Sequence, residues 1–305
     1  MVAVRASAPR RRRTRYQEAP GGRVCDTSAV LRPFTQVDVF SEVPGLGNPV
    51  AVVLDGADLT TEQMQRFAHW TNLSETTFVL PATRPDADYR VRIFTPTAEL
   101  PFAGHPTLGT CHAWTTHLAK AHPAGTTVQE GAAGLVTIRR TSYGSAFGAP
   151  PLLRQGPVDE DAVRQAASQL QIDRSEIVGA NWVDNGPGWM GLLLADAERV
   201  LALRPGAVDR FVGVIGPYPA GSDCAFEVRA FFPSHGATGE DPVTGSLNAS
   251  LAQWLIAAGR AQAPYLVSQG SLVGAAGRVH IEVDQAGAVW VGGTTTGIVF
   301  GQVDL

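Results

Sequence analysis

Two stretches of this chain repeat each other, and a duplicated unit restricts the possible folds more than any other feature of the sequence. Val91-Arg-Ile-Phe-Thr-Pro96 returns as Val228-Arg-Ala-Phe-Phe-Pro233, sharing Val, Arg, Phe and Pro. Next, His105-Pro-Thr-Leu-Gly-Thr-Cys-His-Ala113 aligns with Asp241-Pro-Val-Thr-Gly-Ser-Leu-Asn-Ala249 through Pro, Gly, Ala and a Thr/Ser hydroxyl, with one residue of loop difference between the blocks. Strand, glycine-containing loop, proline and helix recur in that order.

Each copy reads as a helix opening at a proline, Pro106 or Pro242, because proline at the first helical position sacrifices no hydrogen bond. The first turn leaves backbone N–H groups unpaired at the positive end of the helix dipole. Two such ends facing each other form a cleft suited to a carboxylate. The polar residues at the two mouths differ, His105 on one side and Asp241 on the other, while Thr110 and Ser246 match as hydroxyls one turn in. Taken singly, such a histidine can be structural and such an acid can be a cap. Their matched placement points instead to a pair able to hold a zwitterionic substrate and bias its protons.

Composition narrows the function classes. A length of 305 residues suggests two domains. With 44% apolar and 17% charged residues, the chain is not disordered as a whole. A net charge of -4 argues against phosphate neutralisation and nucleic-acid binding as its main business. Cys25, Cys111 and Cys224 show neither a disulfide framework nor zinc-ligand spacing, which fits a reducing cytoplasm. No apolar run reaches the ~18 residues of a membrane helix. The N-terminal segment lacks the apolar core of a secretory signal. Its basic run, Arg10 to Arg13 with Arg15, reads as a solvated, disordered tail, with a nucleic-acid arm as the alternative.

Ordered structure is expected from Phe34. Residues 34–40 alternate like a half-buried strand, residues 41–49 form a Gly/Pro loop, and residues 50–54 read as a buried strand. Thr60 and Gln63 form a capping-box pattern ahead of a stripe of Met64, Phe67, Ala68 and Thr71. Strands follow at 76–80 and 89–94, a helix at 106–120, and strands at 126–129 and 135–139. Residues 141–157 turn rich in Gly, Ala and Pro and mark the domain boundary. Beyond it the pattern gives helices at 159–170 and 242–258, and strands at 176–179, 189–194, 224–232, 265–268, 279–283, 289–291 and 297–303. Many strands with few long helices indicate an α+β or mixed class, not a regular βαβ series. The expected division is a tail (1–33), an N-terminal lobe (34–148, which residues 293–305 would complete) and a C-terminal lobe (149–292).

Four blocks carry a family resemblance: Asn48-Pro-Val-Ala-Val-Val53, Asn72-Leu-Ser-Glu-Thr-Thr-Phe-Val79, the long stretch from Val91 through Glu-Leu-Pro-Phe-Ala-Gly-His-Pro-Thr-Leu-Gly to Thr110, and Glu240-Asp-Pro-Val-Thr-Gly-Ser246. From Phe34 onward the chain resembles the phenazine-biosynthesis PhzF family. The resemblance implies a diaminopimelate-epimerase-like α+β fold. Two pseudo-symmetric lobes each wrap a curved, mostly antiparallel sheet around a central helix, with the active site between them. It also implies a homodimer and a place in specialised metabolism such as antibiotic biosynthesis.

In PhzF-like isomerases the glutamate of the Ser-Glu-Thr motif shuttles a proton, and here that residue is Glu75. The role needs a partly desolvated carboxyl group that can take and return a proton near neutral pH. The resemblance implies that His105 and Asp241 orient the substrate's polar groups and assist the transfer as catalytic residues beside Glu75. Ser246 and the backbone N–H groups near Gly104, Gly109 and Gly245 would hold its carboxylate, with Asn48 in the pocket wall. Two-base epimerases of this superfamily face two thiols across the substrate, whereas neither mouth here carries a cysteine. No P-loop, dinucleotide fingerprint or metal cluster is encoded, so no cofactor is expected. The expectation is an isomerase shifting a proton and a double bond in an unsaturated amino or hydroxy carboxylic acid. The alternatives are an epimerase or racemase of an amino acid or proline derivative, and a catalytically silent small-acid-binding protein.

Overall fold

The computed structural model describes residues 30–118, 125–234 and 236–305. The arginine run and Cys25 lie outside the described residues. In the first half, β1 (Leu31–Val39), β2 (Asn48–Val53), α1 (Thr61–Thr71), β3 (Glu75–Leu80), β4 (Tyr89–Phe94) and β5 (Glu99–Leu100) lead to α2 (Gly104–Leu118), followed by β6 (Thr126–Gly131), β7 (Gly134–Thr141) and β8 (Gly144–Gly148). Next come β9 (Arg154–Pro157), α3 (Glu160–Leu170), β10 (Ile177–Asp184), β11 (Met190–Leu194), α4 (Ala197–Ala202), β12 (Val212–Pro217), β13 (Phe226–Ser234) and β14 (Ala237–Asp241). They lead to α5 (Gly245–Ala257), β15 (Tyr265–Gln269), β16 (Gly277–Val283), β17 (Val289–Gly293) and β18 (Thr295–Asp304).

The strand pairings show the duplication. In the first lobe β1 and β2 are antiparallel, β2 and β3 parallel, β3 and β4 antiparallel, β4 and β5 antiparallel, β4 and β6 parallel, and β6, β7 and β8 antiparallel. The same series runs through β10, β11, β12, β13, β14, β15, β16 and β17. Each half then sends one strand across: β9 pairs with β10, and β18 pairs with β1. A β8–β17 pairing joins the two lobes. The fold is α+β with two pseudo-symmetric lobes.

Each central helix is small or apolar nearly all round, the pattern of a helix enclosed by its sheet. Leu108, Thr107, Thr110 and Ala113 of α2 are buried, as is every residue of α5 from Gly245 to Ala252. Glycine permits the close approach on a different partner in each lobe. A Cβ on Gly109 of α2 would stand 2.4 Å from Val50 Cγ1, and one on Gly213 of β12 would stand 2.3 Å from Leu247 Cδ1. Gly109 therefore packs α2 against β1 and β2, beside Val37, Val39 and Val50, and not at the helix mouth where carboxylate binding was expected of it.

The outer helices are amphipathic instead. The Thr60–Gln63 capping box starts α1, and Met64, Phe67 and Ala68 pack on Val53, Phe78 and Phe94. In the second lobe Asp159 caps α3, and Val163, Ala166, Ala167 and Leu170 share a core with Val200 of α4.

Several elements differ from the sequence reading. β1 begins at Leu31 rather than Phe34, because its first residues pair with the end of β18. The Gly/Ala/Pro stretch at 141–157 contains β8, which closes a hairpin with β7 and also pairs with the distant β17, and β9, which pairs with β10. β5, β14, β12 and α4 also escaped the sequence reading, the first two being short hairpin arms against β4 and β13.

Candidate active site

Both central helices begin at a glycine, and the two glycines touch. A Cβ on Gly104 would stand 2.9 Å from Gly245 Cα, and one on Gly245 would stand 3.0 Å from Gly104 Cα. The helix mouths therefore face each other, as the repeat suggested, but in a different register. Pro106 is the third residue of α2, and Pro242 precedes α5. The matching segments are Glu99-Leu-Pro-Phe-Ala-Gly-His105 and Glu240-Asp-Pro-Val-Thr-Gly-Ser246. His105 is thus the counterpart of Ser246, and Asp241 that of Leu100. The β13–β14 hairpin, longer than its β4–β5 counterpart, shifted the sequence alignment. Thr110 is no partner of Ser246; it lies inside α2 and donates to Thr77 Oγ1 at 2.8 Å.

The corrected register is supported by a matched pair of ion pairs. Arg92 makes two bonds to Glu99, at 2.7 and 2.6 Å, and Arg229 makes two to Glu240, at 2.9 and 2.7 Å. Each ties the hairpin before a helix mouth to the strand carrying the Val-Arg-x-Phe motif.

Glu75 opens β3, at the edge of the first mouth. Its Oε2 is 3.2 Å from Nε2 of His105, without hydrogen-bond alignment, and both buried atoms lack a hydrogen-bond partner among the described residues. Unpaired buried polar atoms are costly, and here two of them converge on one cleft. Burial, and then the charge of Asp241, push the Glu75 carboxyl up to about 8. Burial holds the His105 imidazole down at about 3, against the opposing effect of its hydrogen bond to the Pro49 carbonyl. At neutral pH the ring is therefore uncharged. With one nitrogen donating to Pro49, the other presents a lone pair towards Glu75.

Asp241 is fixed from both lobes. Asn48 Nδ2, at the start of β2, donates to its Oδ1 at 2.9 Å and to the Val243 carbonyl at 2.8 Å. Thr244 Oγ1 donates to the other carboxylate oxygen at 2.6 Å. Burial pushes Asp241 up to about 6, opposed by the Thr244 and Asn48 hydrogen bonds. Gln269 orders the loop further, accepting from Thr244 N at 3.0 Å and donating to the Asp241 carbonyl at 3.2 Å. Asn48 thus bridges the lobes, beyond the wall position expected of it. Ser246 sits in the first turn of α5, with its hydroxyl oxygen 3.3 Å from Trp189 Nε1.

The structure brings Glu75, His105, Asp241, Asn48, Gly104, Gly245 and Ser246 to the junction of the lobes and leaves Gly109 outside. Sequence reading missed Trp189, Asn185 and Gln269, which are ordinary polar or aromatic residues until the strands assemble. Cys111 lies well inside α2, and burial pushes its thiol up to about 11. Neither mouth carries a thiol. Among the described residues no three His, Cys, Asp or Glu side chains are grouped to hold a metal ion, and no helix is long and apolar enough to cross a membrane.

A family model for phenazine biosynthesis-like proteins, PhzC-PhzF, matches residues 37–301. The chain belongs to that family. It is 33% identical to antisense-enhancing sequence 1 of Schizosaccharomyces pombe, over 88% of this chain and 97% of the relative. It is 34% identical to trans-2,3-dihydro-3-hydroxyanthranilate isomerase of Pseudomonas fluorescens, over 80% of this chain and 87% of the relative. The crystal structure of a Bacillus anthracis PhzF-family protein superposes with a TM-score of 0.75 at 21% identity, covering 90% of this chain and 100% of that one, and so shares the fold. The chain is an isomerase of the PhzF family.

Proposed function

We propose that this PhzF-family isomerase moves a proton, and with it a double bond, along an unsaturated amino or hydroxy carboxylic acid, with Glu75 as the proton carrier. The observation that carries this reading is the asymmetry between the lobes at one equivalent position. β3 pairs Thr76 with Phe94, and β12 pairs Val212 with Phe231, the two phenylalanines being partners in the repeat. The residue before each is Glu75 in the first lobe and Phe211 in the second. A duplicated scaffold with a carboxyl on one side and a phenyl ring on the other suits one acid/base group, and opposes two-base stereoinversion.

In the proposed reaction the Glu75 carboxylate removes a hydrogen from a carbon next to a π system. The electron pair spreads through the double bond towards the substrate carboxylate, where the Gly104 and Gly245 helix mouths and the Ser246 hydroxyl meet the added charge. Glu75 then returns the same proton at the far end of the π system, so atoms and charge balance and the enzyme is regenerated. His105, neutral and fixed by Pro49, borders the path. Asp241 would accept the substrate's ammonium or hydroxyl group. A cation there would offset the negative field on Glu75 and favour its ionised, basic form.

The Pseudomonas fluorescens relative makes trans-2,3-dihydro-3-hydroxyanthranilate a suitable first substrate. The test incubates the protein in deuterated water with this diene acid and, separately, with L-proline and 4-hydroxyproline. A change in ultraviolet absorbance as the double bond moves supports the proposal. A change in optical rotation without a double-bond shift would assign racemisation or epimerisation instead. Tight acid binding without turnover of any compound would mark a silent binding protein.

A further inference from the structure

The two helix mouths are built alike but held in opposite ways. In the first, a carbonyl (Pro49) receives the His105 ring N–H, so the ring turns an acceptor to the cleft. In the second, an N–H (Trp189 Nε1) reaches the Ser246 oxygen at 3.3 Å. Indole nitrogen can only donate, so Ser246 must accept at that contact and its own hydrogen points elsewhere. No protein acceptor takes that hydrogen among the described residues. Trp189 is 3% exposed and Ser246 7% exposed, so bulk water competes poorly for either.

Trp189 is itself held. Its ring meets Phe211 edge to face, with centroids 5.1 Å apart and planes at 88°. Asn185, from the same β10–β11 loop, donates to the Ser246 carbonyl at 2.8 Å. In the lobe where Glu75 has no counterpart, the indole lies between Phe211 and the helix mouth.

We propose that Trp189 is a positioning residue that keeps the Ser246 hydroxyl hydrogen directed at the carboxylate of the bound acid. The proposal rests on the reading of Ser246 as a carboxylate-binding group. One neutral hydrogen bond of orientation corresponds to a roughly tenfold change in affinity.

The test compares wild type, Trp189→Phe, Trp189→His, Ser246→Ala and the Trp189→Phe/Ser246→Ala double variant. Each is assayed for turnover of trans-2,3-dihydro-3-hydroxyanthranilate and for binding of anthranilate by calorimetry, with far-ultraviolet circular dichroism to confirm folding. Trp189→Phe keeps a ring against Phe211 but loses the donor together with part of the indole's volume, and the double variant separates the two effects. Expected is a roughly tenfold rise in KM and in the anthranilate Kd, kcat within about twofold, and an unmoved pH profile. Trp189→His, which retains an N–H, recovers part of the loss, and Trp189→Phe adds nothing when Ser246 is already alanine. An equal penalty in the Ser246→Ala background would overturn the proposal by showing that the indole acts through packing. If Ser246→Ala leaves anthranilate binding unchanged, the carboxylate-site reading fails instead. If Ser246→Ala weakens binding while Trp189→Phe does not, only the positioning role fails.

Discussion

Gly104 and Gly245 meet backbone to backbone at the junction of the two lobes, with room for no side chain on either. The contact sets the separation of the helix mouths and therefore the width of the cleft. Because main-chain atoms are in the way on both sides, with the Phe147 ring equally close to Gly104, no rotamer change alone relieves a clash. Gly104→Ala and Gly245→Ala are each expected to cost ~1–3 kcal/mol by overpacking and to lower kcat/KM by about 100-fold, as the mouths are pushed apart. Gly301→Ala, where an added Cβ meets nothing within 4 Å, is the control and should stay within ~0.5 kcal/mol of wild type. Urea unfolding with parallel rate measurements checks both.

Stability should fall with rising pH because of Glu75. Its folded-state value of about 8 lies above the ordinary 4.5, so the folded protein holds the proton that the unfolded chain releases. The stability lost therefore accumulates from about pH 4.5 and levels off above about pH 8. Asp241, raised to about 6, acts in the same direction over a lower range. Glu75→Gln removes the larger contribution and should raise Tm at pH 9 while changing it little at pH 5. Thermal melts at the two pH values decide the matter.

Activity should show the opposite slope. If ionised Glu75 takes the proton, kcat/KM rises with pH towards about 8 and flattens beyond. Asp241→Asn removes the like charge that helps to hold Glu75 protonated, so the rising limb moves to lower pH even if the rate drops. Glu75 and Asp241 influence each other, so the limb reports the pair. A limb that stays in place in Asp241→Asn would show that the two carboxyl groups are not coupled.

The two equivalent arginine clamps should differ sharply in worth. Arg229 and Glu240 have side chains 6% and 12% exposed, and Arg229 also donates to the Val200 and Leu203 carbonyls. Arg92 and Glu99 are 24% and 36% exposed. Removing one partner of a buried pair leaves the other uncompensated, at ~3–5 kcal/mol, whereas an exposed pair is worth ~1 kcal/mol or less. Arg229→Ala should therefore destabilise several-fold more than Arg92→Ala in denaturant titrations.

Much of this was legible in the sequence because repeats and caps are local signals. The Val-Arg-x-Phe-x-Pro repeat announced the duplication, and Thr60 with Gln63 marked the start of α1. The register of the repeat was not legible. Pro106 and Pro242 align well in sequence, but Pro106 lies inside α2 and Pro242 outside α5, so the alignment pairs His105 with Asp241 instead of Ser246. Only the strand pairings and the Gly104–Gly245 contact fix the correct match. Gly109 shows the same limit, since a glycine beside a mouth and a glycine under a sheet look alike in one dimension. Trp189 and Gln269 gave no signal because their partners lie on other strands and loops.

The most direct measurement follows deuterium in the isomerisation of trans-2,3-dihydro-3-hydroxyanthranilate by wild type and Glu75→Gln in deuterated water. Expected is conversion by wild type, with the substrate's own hydrogen returned to the new carbon except where the Glu75 proton exchanges with solvent first, and a rate at least 1,000-fold lower for the folded Glu75→Gln protein. Equal rates in the two proteins would contradict Glu75 as the proton carrier.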